Sequence, residues 1–293
     1  MREMIVFLTI VVASNPAWAH GTDAHSDGAT WTFDPWIVVP LAIMAIAYGV
    51  GSVKISSRAA HGNGAFALRL GFFISGWATL AAALTSPLHW LGEHLFTFHM
   101  IEHEVVMAVS APLFALSRPV SAFVWALPRH GRYIVGTAMN SAVMRGIWGW
   151  STRGQNATLL HGVAIWAWHL PWLFDASVTD ISLHRLQHLS FLITALVFWW
   201  SILWRCSRGV AAWHLFVTMI HTGILGALMA LAPRVLYLAQ TADAKAWGLT
   251  PLEDQQLAGM LMWVPTGTVY AGAALTMLGM WINGSGLKGV ANV

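Results

Sequence analysis

Long apolar stretches separated by short polar segments run through most of the chain. Seven of them approach the roughly 20 residues that a helix needs to cross a bilayer. They lie at about 35–53, 68–86, 96–116, 156–174, 184–204, 213–238 and 257–281. This pattern predicts an all-α fold, a polytopic membrane bundle of about seven transmembrane helices without a separable soluble domain.

The first 19 residues are typical of a secretory signal peptide. Arg2 precedes an apolar run at 4–13, and an A-x-A cleavage site ends at Ala19. An uncleaved anchor is the alternative, although the apolar run is short for a span. We expect cleavage to leave residues 20–293 as the membrane domain, with His20 as a periplasmic N-terminus.

Residues 118–153 interrupt the series of spans. Pro119, Pro128 and several glycines break this segment, and its arginines are spaced among Trp, Val and Tyr. We interpret it as an interfacial amphipathic segment on the cytoplasmic side rather than as a span.

The distribution of basic residues predicts the orientation of the bundle. With the mature N-terminus outside and the C-terminus inside, three short loops face the cytoplasm, where Lys and Arg collect. The basic residues of these loops are Lys54, Arg58, Arg69, Arg118, Arg129, Arg132, Arg145, Arg153, Arg205 and Arg208. Only Arg185, Arg234 and Lys245 fall outside, whereas the acids beyond the signal peptide lie on the outer side. We therefore predict a multi-pass protein of a bacterial inner (plasma) membrane.

The amino-acid composition is typical of a protein embedded in a lipid bilayer. Hydrophobic residues make up 57% of the sequence and charged residues 9%, whereas soluble chains carry about 25% charged residues. The few basic residues are spread over loops, so we expect no nucleic-acid partner. Cys206 is the only cysteine, which excludes intrachain disulfides and paired-cysteine metal sites.

Histidines gather at the predicted outer ends of different helices. His99 and His103 are one helical turn apart, and His184 and His188 repeat that spacing on another span. His169 lies near the outer end of a third span. Ionisable residues inside a bilayer are costly and usually face a bundle interior. Because imidazole binds copper, zinc, iron and nickel, the pattern predicts a transition-metal site.

Two acidic residues are lower-ranked members of this candidate site. Glu102 shares a face with His99 and His103, while Glu104 points about 100° away on the same helix. Asp254 could accept a hydrogen bond from a metal-bound imidazole, or serve as a helix N-terminal acid. Neighbouring His89 and His94 could belong to the site or be solvated loop residues. The metal-site candidates are His99, His103, His169, His184, His188, Glu102 and Asp254.

Several short motifs in the chain resemble one family. They are Ser86-Pro87-Leu88, His99-Met100-Ile101-Glu102-His103, Pro112, Trp168-His169 with Pro171, the run from His184 to His188, and Glu253-Asp254-Gln255-Gln256 with Gly259, Met262 and Trp263. Over nearly the whole mature chain, the sequence resembles the multi-span CtaG-type assembly factors of caa-type cytochrome c oxidases. This resemblance implies a role in maturing a haem-copper oxidase. It also implies that the protein handles copper and that an oxidase subunit is its partner. A periplasmic protein could donate the copper.

Other functions remain open at the level of sequence. A haem-handling membrane protein could use histidines from two helices as axial ligands. A metal-dependent membrane enzyme is disfavoured because the chain has no HExxH motif, and we expect no catalytic residues. A metal-free structural scaffold for oxidase assembly would need the histidines only for packing.

Overall fold

The computed structural model of the protein describes residues 30–57 and 63–290. The predicted signal peptide and His20 lie outside the described residues. The regular elements within these ranges are helices, as predicted. They are α1 (Pro35–Ser56), α2 (Asn63–Thr85), α3 (Pro87–His94), α4 (Phe96–Glu104), a π-helical turn (Val105–Ser110), α5 (Ala111–Ser117), α6 (Val120–Ala126), α7 (Arg129–Met139), α8 (Ala142–Ser151), α9 (Gly154–Trp168), α10 (Pro171–Thr179), α11 (Ile181–Trp204), α12 (Arg208–Ala230), a 3₁₀ turn (Ala244–Trp247) and α13 (Pro251–Val290).

Proline and short polar side chains explain where several helices begin. Proline occupies the start of α1, α3, α10 and α13, where its missing N–H costs no hydrogen bond. The side chains of Asp34 and Ser86 each accept a hydrogen bond from the backbone N–H two residues further on, which caps α1 and α3.

Six helical stretches among the described residues are long and apolar enough to cross a bilayer. They are Pro35–Ser56, Gly64–Thr85, Phe96–Ser117, Ile181–Trp204, Arg208–Ala230 and Pro251–Gly284. The third of these runs without interruption through α4, the π-helical turn and α5. The multi-pass helical architecture is therefore confirmed, while the count of seven spans and their orientation remain predictions.

Two predicted spans differ from the helices observed. The stretch at 156–174 divides into α9, which at 15 residues is about 22 Å long, and the shorter α10. Pro171 causes the break, because the residue before a proline is disfavoured in the helical region. The stretch at 213–238 ends as a helix at Ala230, just before Pro233, and residues 231–243 form turns and irregular backbone.

Residues 118–153 form the three short helices α6, α7 and α8, none long enough to cross a bilayer. Arg118 opens the segment with a left-handed backbone conformation (φ 50°), and its guanidinium lies 3.4 Å from the ring centre of Trp204. The indole of Trp204 donates a hydrogen bond to the carbonyl of Ala115. These contacts attach the segment to α11, and its interfacial position remains a prediction.

Charged side chains link helices at both ends of the bundle. At one end, Arg185 at the start of α11 donates to Asp34 at the start of α1, over 2.8 Å. At the other end, Lys54 in the last turn of α1 donates to the carbonyl of Ala126, also over 2.8 Å. These contacts join α1 to α11 at one end and to α6 at the other.

Helices α12 and α13 pack backbone against backbone. A Cβ added to Gly226 would lie 2.8 Å from the carbonyl oxygen of Gly259, so only glycine permits this approach. Small residues allow such close helix packing in membranes. The contact fixes the start of α13, and with it Asp254, against the end of the bundle that carries the histidines.

Candidate metal centre

Three histidines from two helices bring their nitrogens together inside the bundle. His99 and His103 come from α4 and His188 from α11, and one nitrogen of each lies within 4.8 Å of the others. His99 and His103 are each 1% exposed. Three of the four members of the two i, i+4 pairs thus come together, a convergence that the sequence alone could not establish.

The nitrogens of this cluster lack hydrogen-bond partners. Nε2 of His99 and both ring nitrogens of His103 and His188 are buried without one. A buried polar atom without a partner is costly, and such groups in native proteins commonly mark the position of an ion or a water. A transition-metal ion fits this donor set, because neutral imidazole offers a nitrogen lone pair to copper or zinc.

His169 supplies a further nitrogen at the edge of the cluster. Its Nδ1 lies 2.7 Å from the carbonyl of Ile165, which can only accept, so Nδ1 carries the proton. Nε2 therefore presents its lone pair, and this atom is buried without a partner. The rings of His169 and His103 are 6.5 Å apart, which makes His169 the next candidate ligand after the three clustered residues.

His184 lies beside the cluster but outside its group of ligand atoms. Its ring centre is 4.6 Å from that of His188 and 5.5 Å from that of His99. The ring also lies 6.1 Å from His89. His184 thus lies just outside the group of three convergent residues, with its ring next to those of His188 and His99.

Glu102 faces the cluster, as the helical spacing predicts. It is 1% exposed, and its Oε1 accepts a hydrogen bond from Nδ1 of His89 over 2.9 Å. The same oxygen lies 3.7 Å from Nδ1 of His188. Glu102 therefore acts beside the imidazoles as a charged acceptor, and Glu104 has its Oε2 buried elsewhere without a partner.

His89 is a buried member of the site that the sequence left undecided. It is 6% exposed, with Glu102 on one ring nitrogen and Glu93 3.8 Å from the other. Burial opposes its protonation, but the carboxylates of Glu102 and Glu93 outweigh burial and raise the pKa of the His89 imidazole to about 9. The imidazolium compensates the buried charge of Glu102. By contrast, His94 bonds the carbonyl of Trp90 within its own helix.

Asp254 has a different task from the predicted contact with an imidazole. Its two carboxylate oxygens accept the backbone N–H groups of Phe96 and Thr97, at 2.8 and 3.0 Å. The hydroxyl of Thr97 donates to the same carboxylate over 2.7 Å. Asp254 on α13 is thus the N-terminal cap of α4, which corrects its interpretation as an imidazole acceptor. It positions the helix that carries His99 and His103.

A pH dependence of stability follows from the His89–Glu102 pair. The folded-state pKa of about 9 lies above the unfolded value near 6.5, so the pair stabilises the fold fully below the unfolded pKa. That contribution is lost as the pH rises through the folded pKa. We expect the thermal midpoint of detergent-purified protein to fall by several °C between about pH 6 and about pH 10.

The variant His89→Gln should lose this alkaline step and be less stable at neutral pH. His94→Gln is the matched control, because His94 lies on the same helix away from Glu102, and it should keep the wild-type profile. An unchanged alkaline step in His89→Gln would assign the pH dependence to another group.

The helices and buried histidines together define a multi-pass membrane protein with a candidate transition-metal centre inside its helical bundle. Residues 46–284 match the family described as cytochrome c oxidase caa3 assembly factor (Caa3_CtaG). The match covers most of the chain, and the protein therefore belongs to this family of cytochrome c oxidase assembly factors, as its motifs predicted. Such a factor implies an oxidase as its partner. No curated protein and no solved structure matches the chain.

Proposed function

We propose that this assembly factor binds copper at His99, His103 and His188 and passes it to a haem-copper oxidase during maturation. The observation that carries the proposal is the convergence of three imidazoles, five of whose ring nitrogens are buried without a hydrogen-bond partner. Copper is the cargo of the protein in this proposal, and the oxidase partner is its acceptor.

The donor set suits an ion that must later be released. The three clustered ligands are imidazoles, which bind copper well but do not form the closed thiolate cages of structural metal sites. Nε2 of His169 and the adjacent ring of His184 offer further contacts on either side. An ion could exchange between neighbouring imidazoles without leaving the nitrogen environment.

Glu102 and His89 support such a role electrostatically. A carboxylate 3.7 Å from Nδ1 of His188 can accept that N–H once the two groups close up, which would leave Nε2 of His188 for the metal. The His89 imidazolium donates to the same carboxylate oxygen, over 2.9 Å. This pair would keep the ligand ring in one tautomer without itself binding the ion.

We further propose that the centre faces the periplasm of a bacterial inner membrane. The basic loops predicted to be cytoplasmic include Lys54, which contacts Ala126 at the end opposite to the histidines. A periplasmic copper donor could then load the site from outside. In this scheme the protein is a carrier and not an enzyme.

A haem-handling function is less well supported by the geometry. The rings of His99 and His103 meet edge to face with centres 4.3 Å apart, and His188 lies 4.8 Å from His103. Phe174 and Phe191 pack directly on these imidazoles. Rings in such contact favour a single ion over a porphyrin between them. The other alternative is a metal-free scaffold, and the metal content of the purified protein tests it.

The experiment that tests the proposal is mass-spectrometric metal analysis of detergent-purified protein from cells grown with copper. We expect the His99→Ala, His103→Ala double variant to contain about one equivalent of copper less than the wild type. The double variant His94→Ala, His130→Ala is the matched control. It removes two imidazoles outside the cluster and should retain the metal.

Size-exclusion profiles and circular dichroism establish that each variant is folded. An unchanged copper content in the folded His99→Ala, His103→Ala protein would overturn the assignment of the site. A folded wild type that takes up no metal and no haem would favour the metal-free scaffold.

A further inference from the structure

Three helix ends meet at the end of the bundle opposite to the histidine cluster. Cys206 follows the end of α11, His214 lies in the second turn of α12, and Gly154 is the first residue of α9. Along α11, Cys206 comes 18 residues after His188, a separation of about 27 Å. This location is therefore distinct from the centre described above.

Two metal-binding atoms face the same small volume beside Gly154. A Cβ built on this glycine would lie 2.6 Å from Nε2 of His214 and 2.9 Å from Sγ of Cys206. The two atoms are therefore separated by no more than the sum of these distances, about 5.5 Å, and Gly154 packs against both of them. The absence of a side chain at Gly154 brings the imidazole and the thiol together.

The hydrogen bonds around His214 leave its Nε2 with the lone pair. The hydroxyl of Thr158 donates its one proton to the carbonyl of Gly154 over 2.9 Å. It must therefore accept from Nδ1 of His214, which lies 3.1 Å away, so that Nδ1 carries the imidazole proton. His214 is 7% exposed, and its one side-chain hydrogen bond among the described residues is the one at Nδ1. A basic nitrogen is thus held beside Gly154, on the same side of that glycine as the cysteine sulfur.

Cys206 is a half-buried free thiol with one hydroxyl neighbour. The Oγ atom of Ser201 lies 3.6 Å from its Sγ and can donate a hydrogen bond to it. Thiolate sulfur binds Cu(I), zinc and iron–sulfur clusters, and imidazole binds copper and zinc as well. Zinc ordinarily requires four ligands, whereas one sulfur and one nitrogen suit a cation of low coordination number.

We propose that Cys206 and His214 form a second metal site, specific for Cu(I), at this end of the bundle. An ion bound to both residues would lie about 2.3 Å from the sulfur and about 2.0 Å from the nitrogen, which are the bond lengths found in zinc sites. The proposal rests on these residues alone. It holds or fails independently of copper at His99, His103 and His188.

The first test is anaerobic Cu(I) titration of the full-length protein in detergent, in competition with a chromogenic Cu(I) chelator. We expect Cys206→Ser and His214→Gln each to lose one equivalent of tight Cu(I), with affinity lowered at least about tenfold. His130→Gln is the control for removal of an imidazole. X-ray absorption at the copper edge should show a sulfur neighbour in the wild type that disappears in Cys206→Ser. Unchanged stoichiometry and an unchanged sulfur signal in that variant would overturn the proposal.

The second test keeps the cysteine in place. Alkylation of Cys206 by a maleimide in native membranes should be slowed about tenfold by Cu(I), or by Ag(I) as its redox-inert substitute. His214→Gln should be alkylated at nearly the same rate with and without metal. Equal protection in wild type and His214→Gln would mean that the imidazole is not a ligand. Absence of protection in the wild type would mean that the two residues bind no metal.

Discussion

Replacement of His103 by glutamine is expected to lower the cytochrome c oxidase activity of membranes at least about tenfold when the variant is the cell's only source of this factor. His103 has the most central position in the cluster, with ring contacts to His99, His169 and His188. Both of its nitrogens are buried without a partner, so glutamine removes a ligand while keeping a polar side chain of similar size. Oxidase turnover and the copper content of the purified oxidase are the measurements.

His161→Gln is the matched control for this loss. His161 is also a fully buried imidazole, but it contacts the hydroxyls of Thr194 and Tyr270 away from the cluster. We expect this variant to support oxidase maturation at close to the wild-type level. Added copper should restore part of the activity in His103→Gln if the defect is metal supply. Full oxidase activity in a stably inserted His103→Gln protein would contradict a copper-relay role and leave the histidines a packing function.

The sequence carried the information needed for the family and the helical class, because both depend on local pattern. Apolar runs near the length of a bilayer predicted the helices, and i, i+4 spacing placed His99 and His103 on one face of α4. The boundaries failed where a proline intervened. Pro171 and Pro233 end helices that hydropathy alone would continue, and both were visible in the sequence as helix-breaking signals.

The composition of the centre could be predicted only in part, because convergence depends on how distant segments pack. Periodicity identified the pair His184 and His188 but could not tell that only His188 joins the group of ligand atoms. The sequence left His89 open between a site residue and a solvated loop residue, whereas the short helix α3 folds back and buries it against Glu102. No local signal links these residues, since the contact depends on the chain reversal between α3 and α4 at Leu95.

The role of Asp254 also depends on contacts between distant segments, and an experiment can test it. The sequence marked it as a polar residue near the site, and a contact across more than 150 residues gives it its task as the cap of α4. An effect of Asp254 on metal binding should therefore be indirect, through the position of α4. Stability and metal affinity must change together if this interpretation is correct.

Asp254→Ala is expected to destabilise the protein by about 2–4 kcal/mol and to weaken metal binding with it, because two backbone N–H groups and one hydroxyl lose a charged acceptor. Asp254→Asn keeps one acceptor oxygen and should fall between wild type and alanine. Glu253→Gln is the control, since this neighbouring exposed acid bonds only Thr250. Thermal unfolding in detergent and copper titration are measured on the same samples. Loss of copper without loss of stability would instead make Asp254 a direct ligand, because a cap can act on the histidines only through the helix that it holds.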